Sequence, residues 1–206
     1  MKIIRISPRG FGANTYILTA DNKSAIVIDP AQKRIEGELI KLGLKAEYVL
    51  LTHCHFDHVG GVKTLQDAGA KVLCSEQEKP LVGTRADLCE AFFAPREYYQ
   101  IDQTLNDNQT QELCGIKITA MLTPGHTSGS ACYLAEDNDG AYLFTGDTLF
   151  AGTIGRTDFP TGDIAMLRKS LKRLSLLDGD LPVYAGHEEE TTIGRERKVN
   201  PFMLDL

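Results

Sequence analysis

The chain has 206 residues, 42% of them hydrophobic and 24% charged, a globular balance that argues against disorder. Its formal net charge of −6, with no long basic run, makes nucleic acid an unexpected partner. No stretch approaches the ~18–20 apolar residues of a membrane span.

Arg5 interrupts Met1–Ile6 too early for a secretory leader. The five cysteines (Cys54, Cys74, Cys89, Cys114 and Cys132) are scattered and form no C-x-x-C, a pattern suited to reduced thiols. One cytoplasmic domain over 1–206 is expected.

Apolar runs predict strands at Ile3–Ser7, Thr15–Thr19, Ala25–Ile28, Tyr48–Thr52 and Lys71–Cys74. More follow at Ile116–Leu122, Ala131–Leu134, Ala141–Thr145 and Val183–Tyr184. Turn residues punctuate them at Gly10-Phe11-Gly12, Asp21-Asn22, Cys114-Gly115 and Asn138-Asp139-Gly140. Helices are expected at Lys33–Leu42, Val62–Ala68 and Arg85–Phe93. The clearest helix spans Asp163–Leu177, with Ile164, Leu167, Leu171, Leu174 and Leu177 at helical spacing and Asp163 as N-cap. Its Arg168, Lys169, Lys172 and Arg173 read as a solvated face. Strands and helices intermixed throughout predict a layered α/β domain.

All five histidines lie at or just after the end of a strand-like run. The run Tyr48–Leu51 leads into Thr52-His53-Cys54-His55-Phe56-Asp57-His58, where His53 and His55 project to one side of an extended segment. Four ligand-type side chains so close together are hard to account for without a cation. Three later segments repeat an apolar run, a glycine and a ligand-type residue: Gly125-His126, Gly146-Asp147 and Gly186-His187. The small residue would make room for close approach.

Seven candidate ligands exceed the four of a structural zinc site and divide between two ions. His53, His55 and His126 would hold one. Asp57, His58 and His187 would hold the other, with Asp147 bridging across the ~3.5–4 Å usual for such pairs. Asp57 is also the candidate catalytic carboxylate. Two divalent ions are expected, zinc first, with iron or manganese as alternatives. They would bring a bound water toward a pKa of ~7 and make it a nucleophile.

These segments resemble the metallo-β-lactamase superfamily, whose T-H-x-H-x-D-H signature is matched by Thr52–His58. Thr123–Thr127, Phe144–Leu149 and Ala185–His187 match its other ligand motifs, and the resemblance runs from Gly10-Phe11-Gly12-Ala13-Asn14 almost to the C-terminus. It implies an αββα sandwich of two mixed sheets with the metals at one edge.

Gly146–Phe150, Gly155–Pro160, Thr191–Gly194 and Asn200–Phe202 narrow the resemblance to small glyoxalase II-like hydrolases. That branch implies a small acyl thioester substrate such as a hydroxyacylglutathione, cleaved by a metal-held hydroxide. β-Lactamases of this fold lack the aspartate at the Asp147 position, which argues against an antibiotic substrate. Two departures stand out. The chain stops short of the helical domain with which full-length glyoxalase II helps hold glutathione. It also has Gly186-His187-Glu188-Glu189 where small relatives read G-H-G-P.

One alternative is a mononuclear iron persulfide dioxygenase on His53, His126 and Asp147. Another is a metal-stabilised binding protein without activity. Asp29 reads either as a carboxylate orienting a ligand or as a turn residue. Arg156 reads as a clamp for a substrate carboxylate or as a partner of Asp158. Phe92, Phe93, Tyr98 and Tyr99 read mainly as core, with a cleft wall as the alternative. Cys54 reads as a buried, inert thiol.

Overall fold

A computed structural model describes every residue except Pro8, Arg9 and Phe11, so the Phe11 part of the expected Gly10–Gly12 turn lies outside the described residues. Two six-stranded sheets form the centre. The first runs in the order β1 (Lys2–Ile6), β2 (Thr15–Thr19), β3 (Ser24–Ile28), β4 (Lys45–Leu50), β5 (Lys71–Ser75) and β6 (Gln103–Leu105). The second runs β12 (Thr191–Thr192), β11 (Pro182–Ala185), β10 (Gly140–Gly146), β9 (Ala131–Asp137), β8 (Ile116–Leu122) and β7 (Thr110–Leu113). Both sheets are mixed: β3 to β6 and β10 with β11 pair in parallel, and the other neighbours are antiparallel.

Strand alternation sorts the apolar residues into layers. Tyr16, Leu18, Ile26, Ile28 and Leu50 face inward and meet Ile116, Ile118, Tyr133 and Phe144 of the second sheet. Their neighbours Ile17, Val27, Val49 and Val72 face outward onto α1 (Ile35–Leu42) and α3 (Val62–Asp67). On the far side, Met121, Cys132, Leu143 and Val183 pack beneath α4 (Ile164–Leu174) and the start of α5 (Ile193–Val199). The result is the expected αββα sandwich. Among the described residues, no helix is long and apolar enough to cross a membrane.

Two buried tyrosines tie the sheets together at one rim. The Tyr16 hydroxyl donates to the Ala185 carbonyl, and the Tyr133 hydroxyl to that of Leu51, each at 2.7 Å. Each hydrogen bond contributes about 1 kcal/mol and joins the two sheets close to the strand ends that carry the site.

The expected helix at Arg85–Phe93 does not form. A 3₁₀ turn at Arg85–Asp87 ends on left-handed Leu88 (φ 63°), because the Asp87 carboxylate takes the Cys89 N–H at 2.9 Å and Arg96 Nε at 2.7 Å. Such local bonds compete with a helix ladder. The expected Asp163–Leu177 helix is shorter, covering Ile164–Leu174. Asp163 caps it by accepting the N–H groups of Ala165 and Met166 at 2.7 and 3.0 Å, but Ile164 is exposed. Strand β4 starts earlier than expected, at Lys45. The short strands β6, β7 and β12, and helix α5, carry too little apolar pattern to be read from the chain.

Candidate metal centre

Strand ends deliver the donors to one rim of the sandwich, the usual location for sites on layered folds. Asp29 follows β3, His53 and His55 follow β4, and Asp57 and His58 lie on α2 (Phe56–Val59). His126, Asp147 and His187 follow β8, β10 and β11. Donor atoms of His53, His55 and His126 all lie within 4.8 Å of one another, as do those of Asp57, His58 and His187. Asp147 stands between the two groups. Its Oδ1 is 3.2 Å from His58 Nε2, and its Oδ2 is 3.6 Å from both His126 Nε2 and His187 Nε2. His187 Nε2 is also 3.2 Å from Asp57 Oδ2.

The outer nitrogens of three rings are held from behind. His58 Nδ1 donates to Asp29 Oδ2 at 2.9 Å, and His126 Nδ1 to the Arg156 carbonyl at 2.7 Å. Thr52 Oγ1 donates to Asp29 Oδ2 at 2.6 Å, which leaves its lone pair for His53 Nδ1 at 3.1 Å. These partners assign the tautomers and turn each Nε2 lone pair inward. Asp29 also accepts the Thr52 N–H at 2.8 Å, so it fixes the His58 ring and Thr52 together and is not a simple turn carboxylate.

His53 Nε2, His55 Nε2, His58 Nε2 and Asp147 Oδ1 are buried without a hydrogen-bond partner among the described residues. Orphaned polar atoms cost about 1–3 kcal/mol each, and cations would satisfy those of His53, His58 and Asp147, whereas His55 turns its Nδ1 toward His126 Nε2, 2.9 Å away. Electrostatics favour the same occupant. Burial, reinforced by the neighbouring imidazoles, holds His53 well below the usual value, and burial with the His126 ring takes His55 to about 3. Both rings are therefore neutral. Burial opposes ionisation of Asp147 and Asp57, but the surrounding histidines outweigh it and hold both below the ordinary carboxylate range. Burial also opposes a proton on His58, yet Asp147, Asp57 and Asp29 hold it well above normal. His187 is raised against its own burial, chiefly by its bond to Asp57. His53, His55 and the ionised carboxylates are thus in the donor form a metal centre needs, whereas an ion at the Asp57, His58 and His187 group would have to displace protons.

The donors open into a cavity of about 420 Å³ walled by Phe56, Leu88, Phe92 and Phe159, with Glu188 on its border. The four aromatics near β6 take different places. Tyr99 is core, Phe92 lines the cavity 5.2 Å from Phe56, and Phe93 and Tyr98 are exposed, contrary to their expected burial. Arg156 pairs with Asp158 through two bonds of 2.8 and 2.7 Å and lies over the Phe159 ring, so its guanidinium is already engaged. Cys54 is buried, and burial pushes its thiol well up, as suits an inert residue. Glu78 has no signal in the sequence, yet it lies buried behind the His53–His55 segment.

Gly186 shows why a small residue precedes the candidate ligand His187. A Cβ there would stand 2.4 Å from Asp147 Oδ1 and 2.8 Å from His58 Cε1. Gly186→Ala should leave a folded protein with Asp147 displaced and activity reduced about 10²-fold, the scale for a shift of about 1 Å at a reacting centre. Melting curves and turnover measured together check this.

Residues 8–187 match the profile of the metallo-beta-lactamase superfamily. The chain is 35% identical over 210 residues to the hydroxyacylglutathione hydrolase GloC of Haemophilus influenzae, covering 98% of each protein. The crystal structure of BLEG-1 B3 metallo-beta-lactamase superposes with a TM-score of 0.90 at 30% identity, over 98% of this chain and 99% of that one. TTHA1623 in a di-iron-bound form superposes with a TM-score of 0.83 at 31% identity, over 98% of this chain and 100% of that one. With its αββα layers, its H-x-H-x-D-H segment and these similarities, the chain belongs to the metallo-beta-lactamase superfamily.

Proposed function

We propose that this protein is a dinuclear metal-dependent hydrolase of small acyl thioesters. The observation that carries the reading is the pair of donor groups with Asp147 between them, open to an apolar-walled cavity. His53, His55 and His126 would hold one ion, and Asp57, His58 and His187 the other. When bound, the ions supply Lewis acidity toward the acyl oxygen and acidify water to near neutrality. Zinc is the first candidate. Iron is the second, in keeping with the di-iron form of TTHA1623.

The chain's own side chains complete the chemistry. The neighbouring histidines favour the ionised form of Asp57, which borders the cavity, and its carboxylate would take the proton that an attacking water gives up. Phe56, Phe92 and Phe159 exclude bulk water from the acyl group. All five histidines are committed to the donor groups, leaving none as a general acid. A thioester needs none, since a thiolate with a pKa near ~8.5 leaves unaided. The mononuclear dioxygenase reading would leave the Asp57, His58 and His187 group without a role. A purely structural site would not open onto a cavity.

Glu188 bears on which thiol is accepted. It has φ 65°, a backbone conformation that favours the glycine of the G-H-G-P pattern. Its carbonyl is held by Arg5 Nη2 at 3.0 Å and Asn14 Nδ2 at 3.1 Å. A negative charge on the border disfavours the carboxylates of glutathione. The test is thiol release from S-lactoylglutathione and from the uncharged N-acetylcysteamine thioester of the same acid. Glutathione persulfide with oxygen uptake and a β-lactam serve as rival substrates. Thioester turnover is expected; oxygen uptake or β-lactam turnover alone would replace the reading. Glu188→Gly should raise kcat/KM for the glutathione thioester about fivefold relative to the neutral one, the factor for about 1 kcal/mol of charge interaction in water.

A further inference from the structure

Glu78 lies outside both donor groups, yet it touches the segments that build one of them. It has 0% exposure and sits just after β5. Its Oε1 accepts the N–H of Cys54, the residue between His53 and His55, at 2.8 Å. Its Oε2 accepts the hydroxyl of Thr127, the residue after His126, at 2.7 Å. The surrounding backbone is locked as well. The Glu78 N–H donates to Ser75 Oγ at 3.0 Å, and Ser75 Oγ donates to the Gly129 carbonyl at 2.5 Å. Gly129 packs so closely that a Cβ there would lie 2.2 Å from the Glu78 nitrogen.

No lysine or arginine among the described residues pairs with this carboxylate. A buried charge without a cationic side chain is a costly way to fasten two loops. What a carboxylate offers over an amide is two acceptor oxygens, one for each loop. Asp29 stands in the corresponding place behind His58 and does not touch the His126 loop.

We infer that Glu78 is a positioning residue for the His53, His55 and His126 group alone, fixing the spacing of those rings and thereby that group's affinity for its ion. The inference rests on the proposal that these rings hold an ion, but not on the identity of the substrate.

The test is stepwise titration of the metal-stripped protein with Co(II), read by visible absorption and by competition with a chromophoric chelator. His126→Ala and His187→Ala assign the two steps. Glu78→Gln should weaken the step lost in His126→Ala about 10–100-fold, the usual cost of removing a partner behind a ligand, and change its absorption band. The step lost in His187→Ala should move less than about twofold. Thr127→Val removes one arm and keeps the bond to Cys54, so it should weaken the same step about three- to tenfold even if Glu78→Gln fails to fold. Equal weakening of both steps, or an unmoved first step in folded Thr127→Val, overturns the inference. Two intact Co(II) steps in a wild-type protein that cleaves no thioester would remove the proposed substrate and leave this inference standing.

Discussion

Asp147→Asn should reduce thioester turnover at least about 10³-fold, equivalent to roughly 4 kcal/mol of lost transition-state stabilisation. Asp147 stands between the two donor groups, its Oδ1 near His58 and its Oδ2 near His126 and His187. Asparagine keeps the shape but removes the charge and one acceptor. Its NH₂ group would present hydrogens where the structure has an unpartnered lone pair. Two cations brought close together repel each other, and a shared anion is what offsets that repulsion. Metal content should therefore fall from two equivalents toward one along with the rate. Elemental analysis beside a thiol-release assay checks both. Retention of two ions with activity within tenfold of wild type would show that Asp147 is not the shared anion.

Stripping the protein with a chelator should abolish activity and lower the melting temperature by roughly 10 °C or more. A ligand present at 1,000 times its dissociation constant contributes about 4 kcal/mol to the folded state, and each kcal/mol moves the midpoint of a chain this size by about 2–4 °C. The two ions should leave at different pH. His58 and His187 have raised pKa values, so both tend to hold protons that an incoming ion must displace. Affinity at their group should rise with pH until those values are passed. His53 and His55 are held low and carry no proton near neutrality, so their contribution should be nearly flat between about pH 6 and 8. Titrations at two pH values check this: acidification should release the Asp57, His58 and His187 ion first. Simultaneous release, or the reverse order, would contradict the assignment.

The donor residues are legible in the chain because each follows an apolar run, and strand ends converge in a layered fold. The spacing H-x-H-x-D-H carries its own geometry: alternate residues of an extended segment face one way, and the short helix α2 then turns Asp57 and His58 toward the same spot. Asp29 is half legible, as a carboxylate at a strand end. Its hold on His58 and Thr52 depends on a parallel neighbour that only the fold supplies. Arg156 could not be resolved from the chain, since a clamp and a pair with Asp158 look alike in sequence. Its carbonyl, which supports His126, leaves no trace in the residue type at all. Glu78 was invisible for the same reason: a glutamate after a strand ordinarily faces water, and only tertiary packing reveals it as buried. Local competition removes the helix expected at Arg85–Phe93, where Asp87 and Arg96 bind each other and the backbone instead of solvating a helix.

His53, His55, Asp57 and His58 come from the half of the chain that builds the first sheet, whereas His126, Asp147 and His187 come from the half that builds the second. Neither half alone contains a full complement for either ion. Loading would therefore be a late event in the maturation of the molecule, complete only after the halves have docked. The ions would then act as a clasp across the seam, so that losing them should loosen the joint between the sheets before it disturbs either sheet by itself.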